Sequence, residues 1–181
     1  MRVLPQILCE HPTCQVVVVG GDDVSYGSRP KDAPNWSTKM LRENSLDSSR
    51  VHFLGKVPYA TYKKVLQVSA VHVYLTYPFV LSWSLLEAMA SGCLIVSSDT
   101  APVREVLRHG ENGLLVNFFR PQQLAELVVA ALESPQRLSE LRRAAFEAAQ
   151  GYSIAKGNAY YLNAFGFDAN EVEAGMMEHV I

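Results

Sequence analysis

The 181-residue sequence predicts an α/β domain, a parallel sheet flanked by helices. Three observations support that class. Short apolar runs rich in β-branched residues alternate with helix-length segments. The connections between them are short. The runs are continuous rather than alternating, as in strands covered on both faces.

Residues 2–9 read as the end of a helix, with Pro5 limiting its regular part. The run QVVVVGG at 15–21 reads as a strand stopped by glycines. Residues 22–36 carry Gly27, Pro30 and Pro34 and read as a loop. A short helix over 37–45 follows, with Ser37 as its cap. VHFLG at 51–55 is a second strand, and Pro58 opens a helix running to about Val68. Residues 70–75 form a third strand, and 82–91 a helix ended by Gly92. LIVSS at 94–98 is a fourth strand, followed by a short helix over 102–108 stopped by Gly110. GLLV at 113–116 is a fifth. Two amphipathic helices, 121–133 and 135–150, each open on a proline, and a further helix covers 153–164. Residues from Phe167 onward are acidic and polar. The expected organisation is therefore one domain over 1–165 and a tail over 166–181. Strand and helix in alternation make the fold Rossmann-like. In such sheets ligands bind past the carboxyl ends of the strands, here the loops after Gly20, Leu54, Leu75 and Ser97.

Hydrophobic residues make up 49% of the chain and charged residues 19%, which supports a packed core. A formal net charge of -2 argues against a nucleic-acid partner. No apolar stretch approaches the ~20 residues of a membrane-spanning helix, and the N-terminus does not read as a signal peptide. The cysteines, Cys9, Cys14 and Cys93, are odd in number and lack C-x-x-C spacing. Neither a disulfide framework nor a zinc site is expected, and a reducing cytoplasmic setting is. His11, His52, His72, His109 and His179 show no ligand spacing to one another, and His52 and His72 fall inside strands. Asp22 and Asp23 read as solvated loop carboxylates, and Arg104 with Glu105 as an exposed local pair. No metal site and no cofactor are expected, and no Gly-x-Ser-x-Gly, Walker or H-E-x-x-H motif is present.

The segment YPFVLSWSLLEAMASG at 77–92 joins a strand end to a helix start. First-turn amides lack internal partners and carry partial positive charge, so a diphosphate placed there gains hydrogen bonds. Glu87, one turn in, can accept hydrogen bonds from sugar hydroxyls. The same spacing has a second reading. Ser84, two leucines and Glu87 fit the S-x-x-E capping box, in which Glu87 bonds back to the Ser84 amide. Spacing alone leaves both open.

Six segments, in matching order and spacing, resemble the C-terminal domain of GT-B-fold group 1 glycosyltransferases. They are 16–21, 51–55, 84–92, 94–98, VREV at 103–106 and GENGLLV at 110–116. The resemblance implies one half of a GT-B fold that binds a nucleoside-diphosphate sugar for transfer to a glycan or lipid-linked acceptor. It places Glu87 at the second of two family glutamates, the ribose contact, and strengthens the ligand reading without excluding the cap. The first glutamate, the donor-sugar contact, falls on Phe79, which cannot accept a hydrogen bond. Ser82 stands where the family carries a glycine. The backbone amides of Ser82 and Trp83, with Ser84 and Leu85 completing the helix start, are implied to face the donor. Backbone groups at Lys56 and Val57 are implied to read the nucleobase, although a plain strand-to-helix turn fits equally. The Gly20-Gly21 pair permits close backbone approach or simply ends a strand.

In the family a first strand precedes the helix at 2–9, and the loop after it supplies an Arg and a Lys to the donor diphosphate. An N-terminal domain holds the acceptor site. The chain begins after these positions, so it is expected to be the donor-binding half, inactive by itself. The sheet edge left by the first strand is expected to favour a homodimer. Peripheral membrane association is implied for the parent enzyme. The rival readings are a non-catalytic nucleotide-sugar-binding or partner-binding module, and a fragment of a GT-B-fold epimerase.

Overall fold

Every strand pair in the computed structural model is parallel, over described residues 1–24, 28–77, 80–134, 136 and 138–166. In chain order the elements begin with α1 (Leu4–Glu10), β1 (Val16–Val19), α2 (Trp36–Asn44), β2 (Val51–Gly55) and α3 (Tyr59–Val68). β3 (Val71–Tyr74), α4 (Trp83–Ala90), β4 (Leu94–Ser98), α5 (Ala101–Arg104) and β5 (Leu114–Val116) follow. The chain continues through α6 (Pro121–Glu133), α7 (Ser139–Ala149), a 3-10 turn (Gln150–Tyr152) and α8 (Ile154–Ala164). The predicted alternation and the five strands are all present. The tail from Phe167 onward lies outside the described residues.

The five strands form two hydrogen-bonded groups, β1-β2 and β3-β4-β5, rather than one continuous sheet. Val16 lies opposite Val51 in the first group; Val71 lies opposite Leu94 and Val96 opposite Leu114 in the second. The second group holds the core. Every residue of β4 is buried, as a strand covered on both faces requires. Successive side chains of a strand point to opposite faces. Ile95 packs with Leu85, Met89 and Ala145 of α4 and α7. Val96 packs with Leu124, Val128 and Val129 of α6 and Ile7 of α1. The first group is thinly covered. α2 buries none of its residues, and Val17, Phe53 and Leu54 are exposed.

One side chain ties α1 to β2. Arg50, just before β2, donates from Nη1 to the carbonyls of Leu8 (2.9 Å) and Pro12 (3.0 Å). Its Nε donates to Asp47 Oδ2 at 3.0 Å. Asp47 also accepts from the Ser49 hydroxyl and amide. These bonds, the Ser49 hydroxyl first and then Arg50, hold its pKa down at about 2. Arg50→Ala is expected to lower stability by roughly 1–3 kcal/mol, because it strands carbonyls that the guanidinium satisfies. Arg50→Lys should recover little, since one ammonium cannot reproduce the planar fork. Urea titrations check both, and a lysine variant as stable as the parent would remove the geometric argument.

Three boundaries differ from the sequence expectation, each for a tertiary or local hydrogen-bonding reason. Asn35, not Ser37, caps α2: its Oδ1 accepts from Thr38 N at 2.8 Å. α5 is a single turn, because Asn112 draws the following chain into a loop. Its Oδ1 accepts from Arg108 N (2.7 Å) and its Nδ2 donates to Val106 O (3.0 Å). α7 begins at Ser139 rather than near 135; Pro135 and Arg137 lie outside the described residues.

Candidate functional site

Two groups of predicted site residues sit at the carboxyl ends of the strands. The first is at the ends of β1 and β2. Gly20 has φ of +143°, which favours glycine, and its amide donates to Gly55 O at 3.0 Å. A side chain at Gly21 would bring its Cβ to 2.6 Å from Lys56 Cε, so glycine there lets the lysine cross the strand end. Lys56 Nζ donates to Asp23 Oδ2 at 2.8 Å. This hydrogen bond and the opposite charge raise the Lys56 pKa and lower that of Asp23. Gly20, Gly21, Lys56 and Asp23 are thus brought together, with Val57 at the next position and Pro58 as the residue preceding α3.

The second group surrounds the start of α4. Ser82 has an extended backbone, φ −88° and ψ 144°, and it is the N-cap. Its Oγ accepts from Ser84 N at 3.3 Å and lies 3.0 Å from Ser84 Oγ. The capping box centred on Ser84 is therefore not formed, and Glu87 stands in the second helical turn, half-buried. Two further assignments need correction. The Ser82 amide is already committed, donating to Tyr74 Oη at 3.0 Å. Leu85 belongs to the core: its side chain is 0% exposed and its amide donates to Ser82 O at 3.1 Å. Trp83 projects outward, 77% exposed, and its amide has no partner among the described residues. Phe79, at the family's first-glutamate position, lies outside the described residues.

α3 joins the two groups. Tyr62 packs against the core cluster that α4 lines, and the hydrogen-bonding capacity and negative charge of Glu87 raise the pKa of Tyr59, two residues after Val57. Tyr62 is pushed up to about 12, by burial first and by Glu87 second. The Tyr62 hydroxyl is buried and makes no hydrogen bond among the described residues. Val57 and Glu87 lie 30 positions apart in the chain, and α3, which begins two residues after Val57, packs Leu66 and Tyr62 into the core cluster that α4 lines.

Sequence reasoning missed Tyr59, Tyr62 and Tyr74, because a tyrosine in a strand or helix carries no signal of which distant group it meets. It also missed an aromatic cluster at the ends of β3 and β5. There Tyr77 stacks on Phe118 (5.5 Å between centroids) and meets Phe119 edge-on (4.9 Å). Asp99 and Arg104 pair through Nε (2.5 Å) and Nη2 (2.7 Å), a tighter partner for Arg104 than the expected Glu105. A groove of about 380 Å³ between the 105–112 segment and α7, lined by Glu105, Arg108, Glu111, Asn112 and Tyr152, contains none of the site residues. Among the described residues no group of three or more His, Cys, Asp or Glu could hold a metal, and no helix is long and apolar enough to cross a membrane.

The fold and the site define a doubly wound α/β domain with its candidate ligand groups at the carboxyl edge of the strands. Residues 1–150 match the family Glycosyl transferases group 1, and the chain belongs to that family. It is 29% identical over 138 residues to a phosphatidyl-myo-inositol mannosyltransferase of Mycolicibacterium smegmatis, a match covering 74% of this chain and 31% of that protein. In structure it is similar to Anabaena Alr3699/HepE, solved in complex with UDP, with a TM-score of 0.68 at 21% identity over 97% of this chain and 43% of that one. It is also similar to the C-terminal domain of a group 1 glycosyl transferase, LpcC, from Francisella tularensis. The TM-score there is 0.69 at 18% identity, over 84% of this chain and 77% of that one. The chain thus has the fold of a GT-B C-terminal domain, and it spans less than half the length of the mannosyltransferase and of HepE.

Proposed function

We propose that this chain is the donor-binding domain of a glycosyltransferase that uses a nucleoside-diphosphate sugar. The observation that carries the proposal is the placement of Gly20, Gly21 and Lys56 and of the capped start of α4, with Glu87 in its second turn, at the carboxyl ends of parallel strands. HepE, of the same fold, is described in complex with UDP and with UDP-glucose, which supports the ligand class. In this reading Glu87 accepts hydrogen bonds from the ribose hydroxyls, and backbone at Lys56 and Val57 meets the base. The diphosphate lies toward the start of α4. Its approach to the Ser84 amide requires the Ser82 hydroxyl to swing aside, exchanging a neutral acceptor for a charged one. No resident metal is invoked, because amides and cations can stabilise the phosphates.

β1 and β3 each lack a hydrogen-bonded neighbour on one side among the described residues. A doubly wound order sets one more parallel strand between strands in these positions. We infer that such a strand, with an acceptor domain, completes the working enzyme. Without it the open edges favour pairing between copies of the chain.

Calorimetric titration with UDP, UDP-glucose and GDP tests the binding proposal. At least one is expected to bind with a dissociation constant of roughly 0.1–1 mM, about −5 kcal/mol. No saturable heat from any of the three at several times those concentrations would sink it.

A further inference from the structure

We propose that Tyr74 is a positioning residue for donor binding, acting through the Ser82 amide; the inference rests on the nucleotide-sugar reading above. The segment from Thr76 to Ser82 connects β3 to α4. It is fastened at both ends by side chains of the central strands. At one end Ser98, fully buried in β4, accepts from Thr76 N (3.0 Å) and donates to Thr76 O (2.8 Å). At the other end the Tyr74 hydroxyl accepts from Ser82 N at 3.0 Å, while its ring packs against the core of Leu85, Met89 and Ile95. Ser82 is the residue on which the helix start turns. Its carbonyl accepts from Leu85 N and its hydroxyl accepts from Ser84 N. Both contacts depend on the extended backbone at Ser82, and the Tyr74 bond holds that residue against β3. The phenol therefore fixes where α4 begins relative to the strand, and with it the positions of Trp83 and Glu87.

The arrangement also decides which amide meets the ligand. An N-cap amide beside a phosphate is an available donor, but here a strand side chain consumes it. Tyr74 takes that donor out of competition and directs the donor phosphates to the groups that follow Ser82. The contact spans eight positions and a loop, so neither partner could have been assigned from local pattern.

Tyr74→Phe keeps the packed ring and removes only the acceptor. Amide hydrogen exchange and UDP titration read the two halves of the proposal separately. In the wild type the Ser82 amide is expected to exchange slowly, with and without UDP. In Tyr74→Phe it should exchange at the rate of an open loop, and the dissociation constant for UDP should rise about 2- to 10-fold, the effect of losing one neutral hydrogen bond. A fast Ser82 amide in the wild type removes the lock itself, whatever the variant does. A variant with lowered thermal stability but unchanged UDP affinity makes Tyr74 purely structural and overturns the proposal. A wild type with a protected Ser82 amide that binds none of UDP, UDP-glucose or GDP fails the nucleotide-sugar reading. The positioning role then falls for a different and recognisable reason. If Tyr74→Phe does not fold, exchange at the wild-type Ser82 amide and UDP titration of Tyr74→His, which keeps a ring with a hydrogen-bond acceptor, decide. The proposal stands if UDP affinity weakens together with loss of Ser82 protection and falls if protection is lost at unchanged affinity.

Discussion

Leu85→Ala is expected to destabilise the protein by about 2–5 kcal/mol while leaving the nucleotide affinity of the folded fraction unchanged. Leu85 has 0% exposure and lies in the cluster with Ala88, Met89, Ile95, Val103 and Leu107. Removing most of its side chain costs the transfer energy of the lost methyl groups and leaves a cavity that a fully buried β4 can collapse only partly. For a domain of this size the melting temperature should fall by roughly 5–15 °C. Urea unfolding should show a lower midpoint at unchanged slope, the signature of a folded-state loss rather than a changed denatured state. The backbone bond from Leu85 N to Ser82 O survives the substitution, so the helix start keeps its shape. A loss below about 1 kcal/mol would mean that the packing around α4 is looser than described. Trp83→Ala, two positions earlier and largely exposed, should be nearly neutral for stability and is the internal control.

Glu87→Ala should raise the dissociation constant for UDP by one to two orders of magnitude, roughly 1.5–3 kcal/mol, if the carboxylate holds the ribose through charge-assisted hydrogen bonds. Glu87→Gln should lose less, because the amide oxygen still accepts one bond. The structure sharpens this expectation. With Ser82 as the cap, Glu87 contributes no capping bond, so Glu87→Ala should not incur the cost of a lost cap. Thermal melts beside the titrations therefore separate a ligand role from a structural one. The same substitution removes the negative charge beside Tyr62, whose pKa should fall from about 12 toward the value that burial alone maintains. An ultraviolet titration of the tyrosines would follow it. Equal UDP affinity in wild type and Glu87→Ala would end the ribose assignment, and the carboxylate would then serve only its two tyrosine neighbours.

The division between what was readable and what was not follows the range of the forces involved. The runs at 16–19, 51–55 and 94–98 announce strands because β-branched and apolar residues in short unbroken runs suit extended backbone, although only 94–98 is covered on both faces. Pro121 at the start of α6, and Gly92 with φ of +75° just past the end of α4, mark helix boundaries through constraints internal to the backbone. The series of family segments identified the fold, because their order and spacing are themselves properties of the chain. These conclusions needed no tertiary contact.

The choice among Ser82, Ser84 and Glu87 at the start of α4 was of another kind. All three residue types suit a helix start, and the sequence spacing allowed a box centred on Ser84 as well as a ligand role for Glu87. A phenol eight residues away selected Ser82 by holding its amide. The helix therefore begins where its composition placed it, with Ser82 rather than Ser84 as its cap, Leu85 buried and Glu87 beyond the capping position. The sequence could place Glu87 near a strand end; only the packing of α3 against α4 could set Tyr59 and Tyr62 beside it. The division of the sheet between β1 and β3 was equally invisible, since both runs have strand composition and neither records which neighbour it will have. Periodicity and backbone constraint act within a few residues and are written in the chain. Hydrogen bonds such as Tyr74 to Ser82 and Ser98 to Thr76 close over 8 and 22 positions, and they form only where loops return their ends to the same place.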